Sequence, residues 1–206
     1  MIETIRQAIR RGIRRLAVPL NSLTRGTLTP NTVTWFGFAM HAPIAWLVAT
    51  QHNLWAAILL VFFGLFDTLD GELARLQKRD SAQGMLLDAS TDRMKEVLLY
   101  SGAAYALAHD THPAMAAWAV AACGASLCVS YVKAKGEAAV AASRKDLTHA
   151  QLNKLFSAGL WSFEIRMVVL ILGLISNRLL VAVIAIAILA SHTALDRLTR
   201  ISRQLS

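Results

Sequence analysis

Four aspartates constrain this chain more than any other feature. Asp67, Asp70, Asp88 and Asp92 fall within 26 residues, at the ends of two apolar segments. A carboxylate taken out of water is strongly destabilising unless something compensates it. The fold must therefore bring positive charge among the four.

The apolar segments themselves point to a membrane. Hydrophobic residues make up 55% of the 206 and charged residues 17%, where a soluble domain carries about 25% charged; mean hydropathy is +0.46. Cys123 and Cys128 lie five apart in one apolar run, without disulfide or metal-ligand spacing, and read as small core residues. The N-terminus, MIETIRQAIRRGIRRL, has no apolar stretch of the signal-peptide kind. The net charge of +8 is unevenly spread. Basic residues cluster at 6–25, 75–79, 133–154 and 197–203, whereas QHN (51–53), HDTHP (109–113) and SNR (176–178) hold one Arg and no Lys. That is the positive-inside asymmetry of a multi-pass protein of the cytoplasmic membrane. It places the basic ends and both termini in the cytosol, beside anionic lipids. With no nucleic-acid module in the chain, nucleic acid is not an expected partner.

The expected fold is all-α: six transmembrane helices plus an N-terminal amphipathic juxtamembrane helix. In residues 2–16, Ile2, Ile5, Ile9, Ile13 and Leu16 recur three or four apart, with Arg6, Arg10, Arg11, Arg14 and Arg15 elsewhere on the wheel. This pattern describes a basic helix lying on the cytosolic membrane face, within an interfacial segment 1–25. Residues 26–206 form one membrane domain, and Thr29-Pro30 opens its first span. The spans are expected at 30–50, 53–77, 85–108, 113–135, 155–175 and 179–199. Only 14 residues (53–66) precede Asp67 and only 12 (97–108) follow Glu96, short of the roughly 20 a span needs. Helices 2 and 3 reach full length if they continue as polar-lined extensions at the cytosolic end. Residues 136–154 form the longest candidate loop, cytosolic and open to being partly helical.

On helix 2, Asp67, Asp70 and Ala74 stand at i, i+3 and i+7, one face, with Gly71 and Arg75 on its flank. On helix 3, Gly84, Asp88 and Asp92 run i, i+4, i+8. A short loop, 78–84, lets the two stripes meet. Four oxygen donors without His or Cys suit Mg²⁺, Mn²⁺ or Ca²⁺ rather than zinc. Their number fits two ions roughly 3.5–4 Å apart, the arrangement used for displacement at phosphorus. A plainer reading pairs them with Arg75, Arg93 and Lys95 at helix ends. A cation transporter is another, because it also uses intramembrane acids, yet it needs no glycines and arginine at fixed intervals.

The full pattern is Asp67-x2-Asp70-Gly71-x2-Ala74-Arg75-x8-Gly84-x3-Asp88-x3-Asp92. It resembles the signature of the CDP-alcohol phosphatidyltransferases at all eight fixed positions. The resemblance implies transfer of a phosphatidyl group from a CDP-linked lipid such as CDP-diacylglycerol to an alcohol, with release of CMP, by a membrane enzyme of phospholipid biosynthesis, and it suggests a homodimer. It implies that Asp67, Asp70, Asp88 and Asp92 bind two Mg²⁺ or Mn²⁺ ions and that Asp92 is also the general base. By the same resemblance, Gly71 lets the nucleotide approach the backbone and Arg75 holds the diphosphate. Ala74 and Gly84 are fixed positions of the same donor site. Asn31 to Thr34 match the stretch beside the cytidine, and Ser81 a further nucleotide contact.

For the acceptor, Ser130-Tyr131-Val132-Lys133-Ala134-Lys135-Gly136-Glu137 resembles a stretch of the bacterial phosphatidylinositol-phosphate synthases. That implies inositol 1-phosphate as the small polar acceptor, its phosphate held by Lys135, Arg166 and Arg197. Glycerol 3-phosphate, also a phosphomonoester, is the alternative, and snorkelling at a helix end is the plain alternative for Lys133 and Lys135.

Overall fold

A computed structural model describes residues 2–143 and 163–205, all of their regular structure being helical. The chain divides into two compact units, 1–99 and 100–206, with the boundary inside a helix.

The first unit opens with α1 (Ile2–Leu23), longer than the expected 2–16. Ile13 and Ala17 are buried while Arg11, Arg14 and Arg15 are exposed, as the pattern requires. Gly26, at φ +73°, makes the left-handed turn that leads out of α1. Thr29 then caps α2 (Pro30–Ala49): its Oγ1 accepts from the Thr32 amide at 3.2 Å, with Pro30 in the first turn.

Helix 2 of the sequence reading consists of α3 (Asn53–Gly64) and α4 (Phe66–Gln77). Leu65, between them, keeps helical dihedrals (φ −75°, ψ −18°). The irregularity is local, and 53–77 still qualifies as one span. α4 ends at Lys78 in the left-handed conformation (φ 54°). Four residues later α5 (Ala82–Ala108) begins, its Gly84 amide donating to Ser81 Oγ at 3.1 Å. So short a connection makes α4 and α5 an antiparallel pair. Ala17, Val33 and Leu73 are buried together, joining α1, α2 and α4, with Phe66 and Leu76 against them. Gln77 Nε2 fastens the end of α4 to Asn21 Oδ1 (2.8 Å) and the Leu28 carbonyl (2.9 Å).

The second unit holds the rest of α5, a 3₁₀ turn (Pro113–Met115), α6 (Ala116–Ala142), α7 (Phe163–Ile175) and α8 (Leu179–Leu205). α6 and α8 pack through small side chains, Ala125 and Val129 against Ala190 and Ala194. Such residues let membrane helices approach closely. α6 runs seven residues past the expected end at 135, so the first part of the expected 136–154 loop is helix; 144–154 lie outside the described residues. Cys123 and Cys128 are free, but neither is a core residue: Cys123 is half-buried and Cys128 exposed on α6.

Among the described residues, four helical segments are long and apolar enough to cross a membrane: Pro30–Ala49, Asn53–Gln77, Pro113–Ala142 and Leu179–Leu205. α5 has the length, but Asp88, Asp92, Arg93, Lys95 and Glu96 break its apolar run. α7 is described for 13 residues, and the expected span 155–175 begins outside the described residues.

Candidate active site

In the first unit, a cleft of about 350 Å³ is walled by α2, α4 and the start of α5. Asn31, Thr34, Asp70, Gly71, Ala74, Ser81, Gly84 and Asp88 all line it. The volume lies within the range of ligand clefts, about 300–1,000 Å³. Each element contributes through its register. α2 presents Asn31 and Thr34 from its first turn because Thr29 fixes where the helix starts. α4 presents Asp70, Gly71 and Ala74 from one face. The Ser81 cap fixes where α5 starts, and with it the position of Asp88. Gly84 permits a close approach: a Cβ there would lie 3.3 Å from Ser81 Oγ and 3.8 Å from Asn31 Oδ1.

The four carboxylates divide into two pairs. Asp70 and Asp88 belong to the cleft. Asp70 is only 5% exposed, and its Oδ2 accepts from Thr34 Oγ1 at 2.6 Å. Asp67 and Asp92 instead share Lys95. Its ammonium, on a residue 1% exposed, donates to Asp67 Oδ1 at 2.6 Å and to Asp92 Oδ1 at 3.2 Å. Arg93 Nη2 stands 3.5 Å from Asp92 Oδ2, and Arg93 Nε 3.0 Å from Glu96 Oε2. The compensating charge demanded by the sequence is therefore present within the chain, on Lys95 and Arg93. Among the described residues, no three Asp, Glu, His or Cys side chains stand close enough to hold one metal ion as placed. The donor set nevertheless fits hard dications. It is all oxygen, without His or Cys, and comes from two successive helices, α4 and α5.

Arg75 is placed differently from the expectation. Its Nη2 pairs with Glu72 Oε1 at 2.6 Å, and it lines a separate cavity with Arg11 and Arg14. It stays behind Gly71, where a Cβ would lie 3.6 Å from its Nη2. Arg79, Asp80 and Met85 also line the cleft. Pattern reading missed them because they fall in spacer positions of the signature, or just after one of its glycines.

The acceptor candidates lie in the second unit. Arg166 (1% exposed) and Arg197 (6%) are both buried. Arg197 Nη1 donates to the Val129 carbonyl at 3.3 Å. Lys135 is exposed, its Nζ 5.9 Å from the centroid of the Tyr131 ring. Both arginines are thus buried, while Lys135 has the surface setting of a helix-end lysine.

The phosphatidylinositol phosphate synthase of Corynebacterium glutamicum is 36% identical over 114 residues, 54% of this chain and 52% of that protein. The chain thus matches about half the length of that relative. The crystal structure of Mycobacterium tuberculosis phosphatidylinositol phosphate synthase with CDP-DAG bound superposes with a TM-score of 0.78 at 25% identity, covering 91% of this chain and 94% of that one. A second structure of the same enzyme, in complex with manganese and citrate, has the same fold (TM-score 0.78, 24% identity, 92% of this chain and 88% of that one). The pattern that defines the CDP-alcohol phosphatidyltransferases matches residues 27–195, and the chain belongs to that family.

Proposed function

We propose that this protein transfers a phosphatidyl group from CDP-diacylglycerol to inositol 1-phosphate, forming phosphatidylinositol phosphate and CMP. One observation carries the reading. Eight of the residues expected around the donor and its metal, seven from three helices and Ser81 from the link before α5, line one cleft.

The acceptor hydroxyl oxygen forms a bond to the phosphatidyl phosphorus, and the bond from that phosphorus to the CMP oxygen breaks. The hydroxyl proton passes to the Asp92 carboxylate. Asp67, Asp70, Asp88 and Asp92 would hold two Mg²⁺ or Mn²⁺ ions, which would supply Lewis-acid polarisation of the phosphoryl oxygens. Thr34 orients Asp70 through its 2.6 Å hydrogen bond. Lys95 holds one oxygen of Asp92 and one of Asp67, positioning both carboxylates. Asn31, Ser81, Ala74 and Gly84 shape the cleft for the nucleotide. Gly71, with no side chain, lets the nucleotide approach the backbone. Arg166, Arg197 and Lys135 hold the acceptor phosphate by charge-assisted contacts.

The protein crosses the cytoplasmic membrane six times, α5 and α7 joining the four apolar spans. The basic segments place the active site, both termini and α1 on the cytosolic side, where CMP and the acceptor are soluble. A homodimer is the assembly the family resemblance suggests.

The decisive assay offers purified protein CDP-diacylglycerol and Mg²⁺ with inositol 1-phosphate, glycerol 3-phosphate, serine or inositol in turn. Phosphatidylinositol phosphate is expected as the dominant product. Preference for glycerol 3-phosphate would reassign the acceptor, and no CMP release with any of them would overturn the transferase reading.

A further inference from the structure

A second cavity of about 390 Å³ lies in the first unit, between α1 and α4. Its walls carry Arg11 and Arg14 from α1, and Glu72, Arg75 and Leu76 from α4. Glu72 is matched within the wall by Arg75 at 2.6 Å. Three guanidinium groups against one carboxylate leave an excess of two positive charges. The fold holds these groups in place. Ala17 is buried against Leu73, so α1 is docked on α4 one turn beyond Arg14.

A guanidinium is a planar fork that suits the oxygens of a phosphate. The surroundings indicate which phosphate. Arg11, Arg14 and Val18 stand at i, i+3 and i+7, one stripe of α1 that passes from charged to apolar. Leu16 (64% exposed), Val18 (49%) and Leu23 (84%) leave large apolar side chains uncovered along the same helix. A soluble phosphate has no use for them, whereas a lipid presents a phosphate with chains attached.

We propose that this cavity binds the phosphate of an anionic phospholipid of the surrounding leaflet, anchoring α1 against α4. The site is separate from the CDP-lipid cleft, and the inference does not rest on the reaction proposed above.

Native mass spectrometry of the purified full chain, titrated with phosphatidylglycerol or phosphatidylcholine, tests it. Wild-type protein should retain phosphatidylglycerol in preference to phosphatidylcholine, and salt should weaken that retention. Arg11→Gln/Arg14→Gln should lower phosphatidylglycerol retention at least tenfold, with phosphatidylcholine unchanged. Arg11→Lys/Arg14→Lys should recover most of it. Equal retention of phosphatidylglycerol by wild type and the Gln variant overturns the site. So does salt-independent retention by wild type, a result that stands even if the Gln variant fails to fold. Displacement of the lipid by millimolar inorganic phosphate would assign the cavity to a soluble anion. A raised KM for CDP-diacylglycerol in the Gln variant would make it part of the donor site. Either result would also overturn the lipid assignment.

Discussion

The two units bury charge of opposite sign. In the first, Asp70, Glu72 and Glu96 are buried with Lys95, and Asp67 and Asp92 lean on that same lysine. In the second, the buried charges among the described residues are Arg166 and Arg197. A cluster of carboxylates attracts cations, and a pair of guanidinium groups attracts an anion. The difference teaches how the labour is divided under the proposed function. Residues 1–99 supply the metal and nucleotide chemistry, and residues 100–206 supply recognition of an acceptor phosphate.

Three substitutions probe that division. The largest effect is expected from Asp92→Asn. It removes the base while leaving the cleft of Asn31, Thr34, Asp70 and Gly71 in place. Turnover should fall about 10²–10⁴-fold, with a smaller change in nucleotide binding than Asp67→Asn causes. Near-normal turnover would move the base elsewhere.

Lys95→Met comes next. It strips the ammonium that Asp67 and Asp92 share, and removing one partner of a buried ion pair costs about 3–5 kcal/mol. Thermal unfolding of the variant should show the larger loss in EDTA and a partial recovery with Mg²⁺. An equal loss in both conditions would mean that Lys95 and the metal do not compensate the same carboxylates.

Arg166→Ala should have the smallest effect and the most selective. A charge-assisted contact to phosphate contributes about 1.5–3 kcal/mol. The acceptor KM should therefore rise roughly 10–100-fold, with little change in the KM for CDP-diacylglycerol. The reverse split would place Arg166 at the donor and dissolve the comparison between the units.

Much of the first unit was legible because its chemistry is periodic. Asp67, Asp70 and Ala74 on one helix, and Gly84, Asp88 and Asp92 on the next, predict two stripes. The short link makes those stripes face each other, and the cleft follows. Spacing says nothing, however, about where a long side chain goes. Lys95 stands three residues after Asp92 on its own helix, and only the packing of α4 against α5 brings Asp67 within its reach. Arg75 was expected at the diphosphate, and spacing could not show that its guanidinium would pair with Glu72 and line a cavity with Arg11 and Arg14. The amphipathic pattern of α1 identified its buried face but not the helix it would cover. In the second unit the arginines could be picked out as cations in apolar segments, and the snorkelling alternative already set Lys135 apart, which is exposed where Arg166 and Arg197 are buried. The end of α6 was misplaced because Lys133 and Lys135 looked like a boundary, whereas Gly136 and Val140 remain buried along the continuing helix.

The central claim is that the carboxylates of the first unit act on a CDP-lipid through bound dications. Its most direct test is CMP release from CDP-diacylglycerol with inositol 1-phosphate, measured in excess EDTA and again after Mg²⁺ or Mn²⁺ is restored. Release should vanish with the chelator and return with either ion, because the site offers only hard oxygen donors. Undiminished release in EDTA would contradict it.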